Sequence, residues 1–257
     1  MTAIGSIFEY QLRGARRYWR SVLVADLASP LFYVLALGVG LGTVVNRNGG
    51  SAELGVPYLV YVAPALLAAA AVTVGASEAS YPVHGNFKWI RTYHGMAATP
   101  LSSAQIADGV IAWIGMRTLV TSSLFLCISA VFGGVQRWLA LLSVPAAALC
   151  GIAVAAPVAA YSASRMDEGQ GFNVLRRFII VPMFLFAGTF YPISRLPDWA
   201  QWLAYATPLW HGTELARAAS IGGVSAPAIL GHVAYLAVLL VIGVVLARRY
   251  FRIRIET

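Results

Sequence analysis

Apolar residues in this chain run in unbroken blocks, and several blocks match the roughly 20 residues needed to cross a hydrocarbon core about 30 Å thick. They lie at 22–45, 57–76, 106–132, 138–161, 178–190 with a few residues upstream, and 229–247. Composition closes off the alternatives. Apolar residues make up 59% of the chain and charged residues only 11%, against about 45–50% and about 25% in ordinary soluble domains. A soluble enzyme lacks the charge to solvate its helix faces, and a disordered chain cannot be this apolar. A membrane β-barrel alternates its apolar residues in pieces of about ten. The expectation is an all-α integral membrane protein with six transmembrane helices.

Orientation follows from the basic residues. With the N-terminus cytoplasmic, the inner segments hold Arg13, Arg16, Arg17, Arg20, Lys88, Arg91, Arg165, Arg176, Arg177, Arg248, Arg249, Arg252 and Arg254. The outer segments hold Arg47, Arg137, Arg195 and Arg217, while Arg117 falls inside the third block. Both termini are therefore expected in the cytoplasm. The net charge of +8 reads as this inner bias rather than as a nucleic-acid surface. The N-terminal block is too long, and begins too far in, for a cleaved signal peptide. Before it, Ile4, Ile7, Phe8, Leu12, Ala15, Tyr18 and Trp19 recur at helical spacing, with Arg13, Arg16, Arg17 and Arg20 mostly on other faces. That pattern predicts an amphipathic helix over 1–20 in the inner headgroup layer.

Few motifs carry chemistry. The only lysine, Lys88, lies in Asn86-Phe87-Lys88-Trp89, with neither the glycine nor the hydroxyl of a phosphate-binding loop. Any ATP hydrolysis must come from another subunit. His84, His94, His211 and His232 lack zinc-site spacing, and Cys127 and Cys150 sit within apolar blocks. Gly38, Gly40 and Gly42 read as a close-packing face. Asp26, Asp108 and Arg117 are ionisable residues in or near spans, where such groups are costly. Asp108 stands too far from Arg117 along the helix for a local pair. A secondary carrier or channel using Asp26, Asp108 and Arg117 is one reading. A lipid-modifying enzyme using His84, His94 and Glu78 is another. The inner loop 77–102 mixes Phe87, Lys88, Trp89 and Arg91, a composition typical of protein interfaces. Lipid anchoring by Trp89 and Tyr93 is the simpler alternative. Residues 191–223 hold Pro192, Pro197 and Pro208 with three tryptophans, which suits short broken helices at a membrane face.

Two of these stretches resemble the ABC-2 type permeases. The inner loop has the Glu…Arg-Thr-Tyr…Thr-Pro-Leu-Ser element of that family, and Phe186-Ala187-Gly188-Thr189-Phe190-Tyr191-Pro192, continuing through Leu196-Pro197, Pro208-Leu209-Trp210-His211 and Arg217, is similar to its signature after the fifth span. Asp26 to Tyr33 and Gly38 to Gly42 resemble the first span of the branch exporting nodulation factors and anthracycline drugs. The resemblance implies a half-size permease that pairs with a second permease chain, identical or not, and with two copies of an ATP-binding subunit. That subunit would hold ATP and Mg, with no cofactor in this chain. The cargo implied is an amphipathic drug, antibiotic or lipid-linked compound, exported across the bacterial cytoplasmic membrane. It also implies ATPase contact through Phe87, Lys88, Trp89 and Arg91, with Arg16 and Arg17 of the N-terminal helix. Residues 191–223 become an extracytoplasmic re-entrant element. Spans one, two and five would line the substrate pathway, with Phe32, Tyr33, Tyr58, Tyr61, Phe184, Phe186 and Phe190 as its aromatics. The whole chain, 1–257, is then a single transmembrane domain.

Overall fold

The computed structural model describes residues 3–256. Residues 1, 2 and 257 and the side chains of 3, 4, 18, 21–23, 25 and 29 lie outside that description, and with them the predicted apolar contacts of Ile4 and Tyr18. The described residues form helices and their connections, with no strand among them.

Helix α1 (Ala3–Tyr33) continues through a π-helical stretch (Val34–Leu41) into α2 (Gly42–Arg47). The expected interfacial helix and the first span are thus one uninterrupted helical segment. The reason is local: between Gly14 and Pro30 no glycine or proline interrupts the pattern. Pro30 cannot donate the bond to the turn before it, and the wider π turns begin just beyond. The amphipathic portion is not free of the bundle. Ile7 is buried against Gly109, and Phe8 meets Trp113 edge to face with centroids 5.6 Å apart.

After the short α3 (Gly50–Leu54) comes α4 (Tyr58–Ala79), which turns at Ser80 into α5 (Tyr81–Lys88) and then α6 (Thr92–Ala97). Helix α7 (Ser103–Val131) starts at a capping box. The Ser102 hydroxyl accepts from the Gln105 N–H, and the Gln105 side chain accepts from the Ser102 N–H. A 3₁₀ turn (Trp138–Leu142) leads into α8 (Ser143–Ser164). The last long helix is α13 (Ala226–Glu256).

Five segments among the described residues are long and apolar enough to cross a membrane: Asp26–Arg47, Tyr58–Lys88, Ser103–Val131, Trp138–Ser164 and Ala226–Glu256. The remaining predicted block is helical but short. Helix α9 (Gly171–Leu175), a π stretch (Arg176–Ile180) and α10 (Val181–Phe186) follow one another without a break, and a turn begins at Ala187 rather than beyond Phe190. At 1.5 Å per residue the run spans about 24 Å. Then come a 3₁₀ turn (Ile193–Arg195), α11 (Asp198–Tyr205) and α12 (Pro208–Ser220). The three prolines sit at the starts of these pieces, where a missing N–H costs nothing.

Helix α8 is central and packs on α4, α7, α12 and α13. Its contact with α4 is made backbone to backbone. A Cβ on Gly75 would lie 2.6 Å from the Gly151 carbonyl oxygen, and one on Gly151 would lie 2.7 Å from that of Ala71. Buried alanines, among them Ala68, Ala71, Ala147 and Ala155, extend this seam. Small residues substitute here for the hydrophobic drive that lipid surroundings remove.

Candidate functional site

The inner loop is a pinned element. Phe87, only 2% exposed, is packed edge to face on Tyr93 and Phe251 at centroid distances of 4.7 and 4.8 Å, and the Arg254 guanidinium lies 4.7 Å from its ring. Burial pushes the Tyr93 phenol well above its usual range. Arg254 in turn donates to the carbonyls of Ser162 and Ala163 at 3.0 and 3.1 Å, tying the end of α13 to the end of α8. Lys88 Nζ donates to the Asp167 carbonyl at 2.9 Å and pairs with Glu168 at 2.6 Å, and His84 Nε2 donates to the same carbonyl at 3.0 Å. The expectation that Phe87 is displayed to a partner is therefore corrected: it is the packing core of the loop. Trp89 and Ile90 are what the loop displays, 56% and 70% exposed. Arg91 follows, exposed and with φ of 57°, a left-handed conformation rare outside glycine, at the sharp reversal between α5 and α6. On the N-terminal helix Arg16 and Arg17 are both exposed. Phe251, Arg254 and Asp167 escape sequence reading because the contacts that matter are made from the far ends of other helices.

Arg117 has two acidic partners. Nη1 and Nη2 donate to the two Asp26 carboxylate oxygens at 2.8 and 3.4 Å, and Nε to Glu78 Oε1 at 3.2 Å. The arginine and Asp26 side chains are about nine-tenths buried. The cluster joins α1, α4 and α7. It also fixes the course of α1. Phe8 and Asp26 are about 27 Å apart along α1, yet their partners Trp113 and Arg117 are about 6 Å apart along α7. The two helices therefore do not run in register along their whole lengths. Asp108 belongs elsewhere, in a bidentate pair with Arg248 at 2.7 and 2.8 Å. The residues of the carrier reading are thus divided between separate ion pairs. Glu78, engaged by Arg117, is likewise taken from the enzyme reading, and no three metal-ligating side chains cluster among the described residues.

A cavity of about 380 Å³ opens beside this cluster. Asp26 and Tyr33 of α1, Thr73 of α4, Thr121 of α7, and Arg176 and Phe184 of the short helix are among its lining. Of the predicted pathway aromatics, Tyr33 and Phe184 lie 6.3 Å apart and Phe184 and Phe190 5.2 Å apart. Tyr58, buried, donates its hydroxyl to the Phe190 carbonyl at 3.1 Å. Phe32 is exposed on the outside of α1, Phe186 is half-buried, and Tyr61 lies under the Arg217 guanidinium, 3.9 Å from its ring centre.

Arg217 holds the turn after the short helix. Buried on α12, it donates to the carbonyls of Gly188 and Thr189 at 2.8 and 3.3 Å and pairs with Glu214 at 3.2 Å. Gly188 has φ of 67°, which only a residue without a side chain adopts freely. The signature residues after the short helix are thus one device, a tight turn held by a buried arginine. Next to it His211 and His232 approach to 2.8 Å between Nδ1 atoms, and His211 Nε2 donates to the Tyr205 carbonyl at 3.1 Å. Burial, then the neighbouring His232, pushes His211 down to about 4.

Residues 2–220 match the family described as ABC-2 type transporter. Nodulation protein J of Rhizobium leguminosarum bv. viciae is 28% identical over 234 residues, covering 91% of this chain and 87% of the relative. That of Rhizobium leguminosarum bv. trifolii is 31% identical, covering 82% and 74%, and that of Sinorhizobium fredii is 27% identical, covering 80% of each.

Proposed function

Since the chain belongs to the ABC-2 type transporter family, we propose that it is the membrane half of an ATP-driven exporter, working with a separate ATP-binding subunit and a second permease chain in the bacterial cytoplasmic membrane. It is a multi-pass membrane protein and a transport subunit rather than a catalyst. We read Gly171–Phe186 as a sixth, short crossing, both termini as cytoplasmic, and 191–223 as a re-entrant element at the outer face. ATP and Mg act on the partner subunit.

The observation that carries this reading is the construction of the inner loop. Its base is locked to the ends of α8 and α13, while Trp89, Ile90 and Arg91 project at its tip. A loop that merely anchored in lipid would need no such bracing. A loop that receives a push from a closing ATPase must pass it on without yielding. Arg16 and Arg17 offer a second contact on the same face. Motion reaches α4 directly, since α5 follows it after one turn, and α4 carries Glu78 and Thr73 into the cluster and the cavity. To switch most of the population, ATP binding must favour one arrangement by about 5.5 kcal/mol.

The cavity is lined by α1, α4 and the short helix, with Thr121 of α7, and mixes aromatic walls with a carboxylate and a guanidinium. That suits an amphipathic cargo, a drug or a lipid-linked compound, better than a hydrophilic ion. The test is affinity purification from the native membrane. An ABC-type ATPase should co-purify, and its hydrolysis in reconstituted vesicles should rise with the permease present. Steady transport that needs a proton gradient and no ATP would instead establish the carrier.

A further inference from the structure

The short helix leaves a second cavity on its other side. Between it and α8 and α13 lies a space of about 460 Å³, walled by Val154, Val158 and Tyr161 of α8, Phe178 and Met183 of the short helix, and Leu239 of α13. This is a different face from that of the cargo cavity, which takes Arg176 and Phe184. The walls hold no charged group. Val174, Phe178 and Ile179 form a lip that is more than half exposed, so in a bilayer the opening faces hydrocarbon. At its inner end the Tyr161 hydroxyl crowds Gly171, where a Cβ would lie 2.2 Å away. Beyond it stands Arg165, 5.6 Å from the centre of the Tyr161 ring and 3.8 Å, through Nε, from the same Cβ position. Arg165 pairs with Asp167 through Nη2, but its buried Nε donates to nothing. An apolar slot of this size, with a partly exposed guanidinium standing beside its cytoplasmic end, has the chemistry of a lipid-chain site with a phosphate at the mouth.

We propose that this cavity holds one acyl chain of an inner-leaflet phospholipid, with its phosphate at Arg165. The proposal rests on the membrane placement of Gly171–Phe186. The π stretch and the missing length keep the short helix from closing on α8 and α13, and a flexible chain fills what a rigid helix cannot. A second copy of the protein would lay a helix across the lip and leave the slot empty. The lipid then sets how far the short helix moves toward α8 when the cargo cavity on its other face changes volume.

The test uses the purified full chain in mild detergent, with native mass spectrometry to count retained lipid and titration of delipidated protein with phosphatidylglycerol. The parent should retain one phospholipid per chain. Val174→Trp, made from an exposed lip position, should fill the slot and abolish retention. Arg165→Gln should keep the fold and raise the phosphatidylglycerol requirement about tenfold, as loss of a charge-assisted hydrogen bond does. A parent that retains no lipid, a Val174→Trp variant that retains it unchanged, or a shift of both variants in oligomeric state with lipid unaltered would each overturn the proposal. Labelling of cysteines at the exposed Gln170 and Ser194 from the two sides reports separately whether the short helix crosses.

Discussion

At Arg117 the energetics of a buried charge decide what mutation does. Its guanidinium satisfies Asp26 and Glu78 together, so Arg117→Ala strands two carboxylates and should cost about 3–5 kcal/mol. Adding Asp26→Asn to that variant should recover part of the loss, and Arg117→Lys, which cannot fork, should fall between. Thermal melting of the purified protein separates the four. Equal melting of the parent and Arg117→Ala would mean the arginine reaches water instead. The His211–His232 contact makes a pH prediction. His211 is pushed down from 6.5 to about 4, so between these values the unfolded chain takes up a proton that the folded chain refuses. This contribution to stability is complete above about pH 6.5 and is lost as pH falls through that window toward 4. His211→Gln should flatten this part of the stability profile between pH 7 and 5. An unchanged slope would place the acid sensitivity elsewhere.

For the helices of the inner loop, side chains two and three positions apart have different duties. Phe87→Ala removes the ring on which Tyr93, Phe251 and Arg254 pack and should cost about 3–5 kcal/mol of stability. The pair Trp89→Ala with Ile90→Ala removes mostly exposed area and one edge contact of Trp89 on His84, so melting should fall far less than in Phe87→Ala while ATPase capture falls by a factor of 100 or more, about 2 kcal/mol per central residue. Co-purification yield and melting, read together, distinguish docking from folding. If the exposed pair leaves capture intact, the N-terminal arginines make the contact. The sequence pattern of so short a helix shows that aromatics cluster but not which of them turns inward. That choice is made by the tail of α13, which arrives from the other end of the chain.

Across the molecule, hydropathy made the long spans legible because each lies within one stretch of chain. The cost of Arg117 within a span was equally readable, though the sequence left protein, water, a carboxylate partner or snorkelling open. Its partner was not, because Asp26 lies 91 positions away and only helix packing brings it near. The short helix was overestimated at its C-terminal end. Gly188 and the buried Arg217 turn the chain at Ala187, and no local hydropathy signal reports that pull from α12. The inner basic bias gives the whole-molecule prediction: a cysteine at Asn48 should react with an impermeant reagent on intact cells, and one at Ile90 only after permeabilisation. Reaction of both from outside would reverse the orientation. Finally, the Gly75–Gly151 seam has a mechanical meaning. Peptide groups touching across two helices leave no side chain to act as a spring, so α4 and α8 cannot shear against each other without colliding. They form one stiff beam. Under the proposed reading, displacement received at the loop next to α4 would pass along it, and the yielding parts would be α1 and the short helix, which meet the beam across cavities.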